Sequence, residues 1–322
     1  MKRSLAFTLL VILVAPAAAQ DWPSRPVTMV VPFAAGGPMD TVGRILGGRL
    51  GEVLGQQVVV ENVGGAGGMT GAARIAKATP DGYQFVLGNI GTHAHSQTLY
   101  KNPLYNAAAD FSPVVLIAEL PQVLIARKDL PARNLQDFIA YARQHQAKMQ
   151  YGSGGAGSAT HISCVLLNAA IGINVTHVLY RGGGPALQDL IGGRIDYFCT
   201  LTATAVPPIE SKLIKPIAVF TRERAPMLQN VPSAREQGFT DFEASTWFGF
   251  FLPKGTPAPI VQRLHDATVE AMETPAVQQQ LLTSGAIVVP PQRRSTDYLK
   301  KFMVSEIEKN AAPIRAAGIS ME

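Results

Sequence analysis

The chain has 322 residues, 47% of them hydrophobic and 16% charged, with a formal net charge of +5 at neutral pH. That length is more than one simple core organises and fits two lobes. The mildly basic balance contains no basic run, so nucleic-acid binding is not indicated, and a slight positive field suits an anionic ligand.

Met1–Gln20 carries Lys2 and Arg3, an apolar core from Leu5 to Val14, and then Ala17-Ala18-Ala19. This reads as a secretory signal over residues 1–19, cut after Ala19. Its apolar run is too short to span a bilayer comfortably, and no lipobox cysteine lies nearby. The rest of the chain is therefore expected to be exported and soluble.

Val27–Val31 is a short β-branched run and reads as a buried strand. The breaker cluster Pro32–Gly37 follows. From Val42 the apolar positions Val42, Ile45, Leu46, Leu50, Val53 and Leu54 fall at helical spacing. Strand, glycine loop and helix together place free backbone N–H groups at a helix amino end, where an anion is favoured. The plainer reading is a tight βα turn, but the device recurs. Gln57–Val60 runs into Asn62-Val63-Gly64-Gly65-Ala66-Gly67-Gly68, then a helix over 72–78. Tyr83–Leu87 ends in Gly88-Asn89-Ile90-Gly91-Thr92-His93-Ala94-His95. Met149-Gln150-Tyr151 runs into Gly152–His161. Ligands of open α/β sheets sit beyond such strand ends.

The remaining elements alternate in the same way. Gln122–Ala126 is a strand, and Asn134 caps a helix over Leu135–His145. Strands at Val175–Leu179, Ile195–Cys199 and Ile217–Phe220 enclose helices at Ala186–Ile191 and Val206–Lys212. The aromatic run Glu243–Leu252 is extended. The tail is mostly helix: Ile260–Met272, Ala276–Leu282 and Thr296–Ala317, with a short strand at Ile287–Val289. Alternating strands and helices predict an α/β fold with mostly parallel sheets.

Other chemistries have little support. His93 and His95 would share one face of a strand, but no Cys or carboxylate cluster completes a metal shell. Gly152, Gly154 and Gly157 match G-x-G-x-x-G, yet residues 152–188 contain no acidic residue for a dinucleotide ribose. There is no P-loop and no G-x-S-x-G elbow. An exported hydrolase would have to use Ser153, Ser158 and His161, which lack an orienting acid. An exported interaction protein would show a large apolar patch, which the alternating pattern does not advertise. Cys164 and Cys199 could pair in an oxidising compartment or remain two buried thiols, and both readings stay open.

The pieces Pro32-Phe33, Gly36-Gly37, Asp40 and Arg44; Asn62, Gly65–Gly68 and Gly71; Pro80–Tyr83; Tyr151-Gly152-Ser153, Gly157-Ser158 and His161; Tyr180–Ala186; Val231-Pro232-Ser233; and Trp247-Phe248-Gly249 with Pro253, Gly255, Thr256 and Pro257 run in a familiar order. They cover almost the whole exported chain, which resembles the periplasmic substrate-binding receptors of tripartite tricarboxylate transporters, the Bug receptors. The resemblance implies a two-lobed type II periplasmic-binding fold, each lobe a mostly parallel sheet flanked by helices. Residues 20–121 plus 248–322 form one lobe, residues 122–247 the other, and the ligand cleft lies between them.

It also implies a monomeric periplasmic receptor, neither enzyme nor cofactor carrier, which delivers a small carboxylate to a membrane permease. A receptor that feeds a membrane signalling protein is the alternative. The implied ligand contacts are the loop Phe33, Ala34, Ala35, Gly36, Gly37, Met39 and Asp40; Asn89, Thr92 and His93; Ser153, Gly154, Gly157, Ser158 and His161; Arg181; and Thr200, Thr202 and Ala203. No catalytic or metal-binding residue is implied. The departures are Gly64-Gly65 where relatives have Pro-Gly, Asn89-Ile90-Gly91 and the pair His93/His95, and the lack of an acidic residue in the segment after Cys199. The last removes a partner for an amino group and favours a dicarboxylate without an amine. Phe33 and Met39 keep both aliphatic and aromatic acids in view.

Read from the residues alone, several of these have plainer roles. Asp40 is a first-turn acid stabilised by the helix dipole. Arg44 is solvated or interlobe, His161 a buried polar residue, Arg181 a rim or surface cation, and Trp247 core.

Overall fold

The computed structural model describes residues 22–240, 242–316 and 318–321. The expected leader, residues 1–19, lies outside them, as does Ala317, the expected end of the last helix.

Strand β1 (Val27–Val31) leads into α1 (Pro38–Leu54), followed by β2 (Val58–Asn62), α2 (Met69–Ala76), β3 (Gln84–Asn89) and the short α3 (Ser96–Leu99). Four of the five β1 residues are fully buried, as a strand covered on both faces requires. It pairs in parallel with β2 and β3. α1 begins four residues before the apolar periodicity does, because Pro38 occupies the first turn, where its missing N–H is no loss.

Next comes β4 (Phe111–Arg127), then α4 (Leu135–His145), β5 (Gln150–Ser153), α5 (Ala159–Ile171), β6 (Thr176–Leu179), α6 (Gly183–Ile191), β7 (Tyr197–Leu201), α7 (Thr202–Glu210) and β8 (Ile214–Val219). β9 (Ser245–Pro253), α8 (Ala258–Glu273), α9 (Pro275–Thr283), β10 (Ile287–Val288) and α10 (Thr296–Ala316) complete the chain. As expected, Asn134 caps α4, its side chain accepting the Asp137 N–H at 2.8 Å.

β4 organises the molecule. Its first part pairs antiparallel with β9 and β10, and from Gln122 onward it pairs with β7 and β8. Two lobes therefore share one strand, in the order β2-β1-β3-β9-β4-β7-β5-β6. The return crossing is tied at the same point: Gln122 N–H donates to Ala244 O, Ala244 N–H to Phe220 O, and Phe220 N–H to Gln122 O. The residues Phe111–Pro121 of β4 have no counterpart in the sequence reading; Pro113 and Pro121 are residues that the middle of a sheet ordinarily avoids. Register shifts beside Pro113 and at Leu116–Ala118 accommodate the irregularity.

The sheets are mixed rather than mostly parallel. β2-β1-β3 and β7-β5-β6 are parallel, while β4, β8, β9 and β10 run against their neighbours. β4, the strand that both lobes share, runs against its partners in each of them. The first lobe holds one large core. The second has a core on each face of its sheet, and in one of them Cys164 and Cys199 form a disulfide, which closes the question the sequence leaves open.

α2 lies close under the exit of β1. A Cβ on Gly71 would stand 2.6 Å from Val63 O and 2.9 Å from Pro32 Cα, both backbone atoms that cannot yield cheaply. Gly71→Ala is expected to destabilise the protein by about 1–3 kcal/mol, read from the midpoint of urea unfolding at unchanged m-value.

Candidate functional site

Where the lobes face each other lies a cavity of about 30 Å³ lined by Phe33, Pro38, Met39, Asn89, Gly154, Ser158, Ala159, Thr160, Gly183, Thr200 and Leu201. Four helices point their amino ends at it. Pro38 and Met39 open α1, Ala159 and Thr160 open α5, Gly183 opens α6, and Leu201 is the cap of α7. First-turn N–H groups have no acceptor within their own helix, and each helix end carries about half a positive charge. No Lys, Arg, Asp or Glu is among the lining residues. The positive potential at this point therefore comes from backbone, and the side walls are largely apolar.

The loop Phe33–Gly37 supplies walls more than ligand contacts. Phe33 and Met39 face the cavity. The Ala34 N–H instead donates to Arg181 O across the cleft at 2.9 Å, and Ala35 and Gly36 are exposed at the rim. Gly37 caps α1, and its carbonyl accepts the Thr41 N–H. The Asp40 carboxylate is occupied within its own loop. It accepts the Gly36 N–H, Arg44 Nε and Asn62 Nδ2, each at 3.0 Å, and Arg44 also grips its other oxygen. Burial pushes its pKa up, but the Arg44, Gly36 and Asn62 hydrogen bonds outweigh burial and hold it below the usual carboxylate value. Asp40 fixes the loop.

In the second lobe, Gly154 and Ser158 line the cavity, but their expected neighbours stand behind them. Ser153 Oγ lies 2.7 Å from His177 Nε2. His161 stacks on His177, and its Nδ1 accepts the Gly157 N–H at 3.1 Å, so it braces the loop from inside. Gly157 faces Leu99 and Tyr100. Thr160, which the sequence reading missed, takes the Gly154 N–H on Oγ1 at 2.9 Å. Its position at the second residue of a capped helix was the available signal. Ser158 Oγ caps α5 by accepting the His161 N–H, and His161 offers it no ring nitrogen. Ser158 therefore has no histidine nitrogen at reach, and the Ser153–His177 pair lies outside the cavity lining.

The remaining candidates divide. Thr200 lines the cavity, and its buried hydroxyl lacks a protein partner, as does that of Thr204 nearby. Asn89 also lines it, held by Thr92, whose N–H donates to Asn89 Oδ1. Thr92 thus acts through Asn89. Thr202 donates to Gly285 O at 2.9 Å with Ala203 beside it, so both serve the interlobe contact. The Arg181 side chain is exposed. His93 is a correction: residues 91–95 form a helical turn, not strand, which turns its ring into the core, stacked 3.9 Å from Phe251. His95 is buried against Asn310.

Glycine brings the lobes into backbone contact. A Cβ on Gly67 would collide with Ala156 O, and one on Gly182 would stand 2.9 Å from Ala34 N. Tyr100 also donates across the gap to Ala156 O.

Asp40→Asn is expected to cost about 1–3 kcal/mol, measured by urea unfolding at pH 7, because the Arg44 and Gly36 donors lose their charged acceptor. Burial also lowers the pKa of His93 to about 3 and of His95 to about 4, against about 6.5 in an unfolded chain. Between these values the unfolded state binds more protons at these two residues, so their contribution to stability is fullest above pH 6.5 and is lost as pH drops toward their folded values. In His93→Phe, the loss of stability between pH 7 and pH 5 should be smaller than in the parent by about 2 kcal/mol, measured by denaturation at both pH values.

The family described as Tripartite tricarboxylate transporter family receptor matches residues 42–319. A protein of Agrobacterium vitis encoded in the TAR-I ttuE-ttuC' intergenic region is 41% identical over 303 residues, covering 94% of this chain and 87% of that protein. The periplasmic binding protein BugD superposes with a TM-score of 0.90 at 35% identity, over 94% of this chain and 100% of that one. MatC of Rhodopseudomonas palustris, with bound malate, gives 0.88 at 38% identity, over 91% and 100%. R. palustris Rpa4515, with adipate, gives 0.88 at 34%, over 93% and 99%. The chain belongs to this family and is a periplasmic solute-binding receptor of the tripartite tricarboxylate transporter, or Bug, type.

Proposed function

We propose that this receptor captures a small dicarboxylate without an amino group and delivers it to the permease of a tripartite tricarboxylate transporter. The observation that carries the reading is the convergence of four helix amino ends on one cavity without a charged side chain. Such a site neutralises carboxylates through N–H groups and hydroxyls and gives an ammonium group no counter-charge. The malate and adipate held by two relatives support an aliphatic acid.

On this reading the lobes close on the ligand about two crossings, Pro121–Gln122 in β4 and Ala244–Ser245 at the start of β9, near the boundaries drawn from the sequence. The leader is removed near Ala19, and the receptor works as a monomer in the periplasm. With a cavity of only about 30 Å³ between the lobes, a dicarboxylate would enter by way of an opened cleft.

The test is a thermal-shift and calorimetric panel on residues 20–322 with malate, succinate, adipate, phthalate, citrate, aspartate and glutamate. A dicarboxylate at about 100 times its Kd should add about 2.7 kcal/mol of stability. Binding confined to the amino acids, or to none of the acids, would overturn the reading. Gly67→Ala should then raise Kd by roughly 100-fold or more, because its methyl group keeps the lobes apart. Gly172→Ala is the control. Its φ of +69° matches the +63° of Gly67, but a Cβ there meets nothing within 4 Å, so Kd should not move.

A further inference from the structure

We propose that the Cys164–Cys199 disulfide is a positioning element of the ligand site, holding the amino end of α5 and the cleft end of β7 at a fixed separation. The inference rests on the cleft being the ligand site.

Cys199 directly precedes Thr200 and Leu201, which line the cavity, and Cys164 follows the lining residue Thr160 by four positions. Residues four apart lie on one helix face, a turn from each other. The bond therefore joins the two lining segments about one turn behind the cavity. Both half-cystines are fully buried.

The backbone shows why a link is needed there. The β5–β7 ladder ends at Gly152–Phe198. β5 runs on beside β6 to Ser153, whereas Cys199, Thr200 and Leu201 remain paired only with β4. At that point the Cys199 N–H donates to Cys164 Sγ at 3.1 Å. The disulfide takes over where sheet pairing on one side of β7 stops, and what it steadies is the approach to α7.

On the α5 side the effect spreads through hydrogen bonds. Thr160 Oγ1 accepts the Gly154 N–H and lies 3.0 Å from Ser158 Oγ, which caps the helix. A displacement of α5 would shift Gly154, Ser158 and Thr160 together, three of the lining residues. A merely structural crosslink would raise the unfolding temperature and leave these segments no more mobile when removed.

The experiment compares the parent with Cys164→Ala/Cys199→Ala and with the fuller-volume Cys164→Ala/Cys199→Val, so that a folding failure of one leaves the other. Leu167→Ala serves as the control: it lies in the same core cluster, fully buried, but outside the cavity lining. Amide hydrogen exchange is followed over residues 157–163 and 199–204 at 10 °C, well below unfolding. Expected is a roughly tenfold or greater acceleration confined to those segments, with Leu167→Ala lowering the melting temperature but leaving them protected. Kd for malate and adipate should rise roughly tenfold in the thiol-free variants. Unchanged exchange in both segments, or acceleration spread evenly over the second lobe, would overturn the proposal. So would a Kd within twofold of the parent's. If the parent binds neither acid, the dicarboxylate reading fails, while the exchange result still decides this one.

Discussion

Four helix amino ends directed at one small cavity are an electrostatic constraint before they are a binding site. Like ends repel, and here they meet in a largely apolar enclosure where the local dielectric is low. The arrangement follows from topology. In both lobes the parallel strands end at the cleft, and each helix that follows must begin where its strand stops. The cavity walls provide N–H groups and hydroxyls but no carboxylate, so a bound anion would relieve the repulsion. An exposed basic residue could have served the same end, but it would be free to reorient and would be screened by salt. Backbone dipoles are held by the fold itself, and Asp40 shows how much is invested in holding them. Its buried carboxylate is spent entirely on shaping the loop ahead of α1.

Glycine serves two separate ends in this chain. Some positions need the left-handed backbone, as Gly67 does at φ +63°. Others, such as Gly64 and Gly182, have no such need, yet a Cβ on either would stand 2.9 Å from backbone across the cleft. The recurrent glycine loops can be read from the sequence as anion cradles. In the structure they are at least as much the places where one lobe's main chain lies against the other's.

The βα units were legible because burial and periodicity coincide in them: Val27–Val31, the α1 stripe and the Asn134 cap are where the residues say they should be. What escaped has identifiable causes. The first half of β4 is disguised by Pro113 and Pro121, and only long-range pairing with β9 makes it a strand. His93 and His95 were read with a period of two, but the chain turns helical after Asn89 and sends one ring against Phe251. His161 and Ser153 are taken up behind the cavity by His177 of β6, a tertiary contact that spacing does not encode. The disulfide depends on α5 packing against β7, a contact that only the tertiary fold creates.

These features bear on how a receptor of this kind would couple binding to shape. The hydrogen bonds Ala34–Arg181, Tyr100–Ala156 and Thr202–Gly285 cross the cleft and exist only with the lobes together. They favour closure, and the convergence of positive helix ends opposes it. A bound dicarboxylate would cancel the second term without disturbing the first. Its differential affinity for the closed form is what can shift the population, and it arises from the charge it neutralises as much as from the contacts it makes. A ligand of the right size without the second carboxylate would leave part of the helix-end repulsion in place. It would therefore bind weakly and close the lobes incompletely, whatever its fit to Phe33 and Met39.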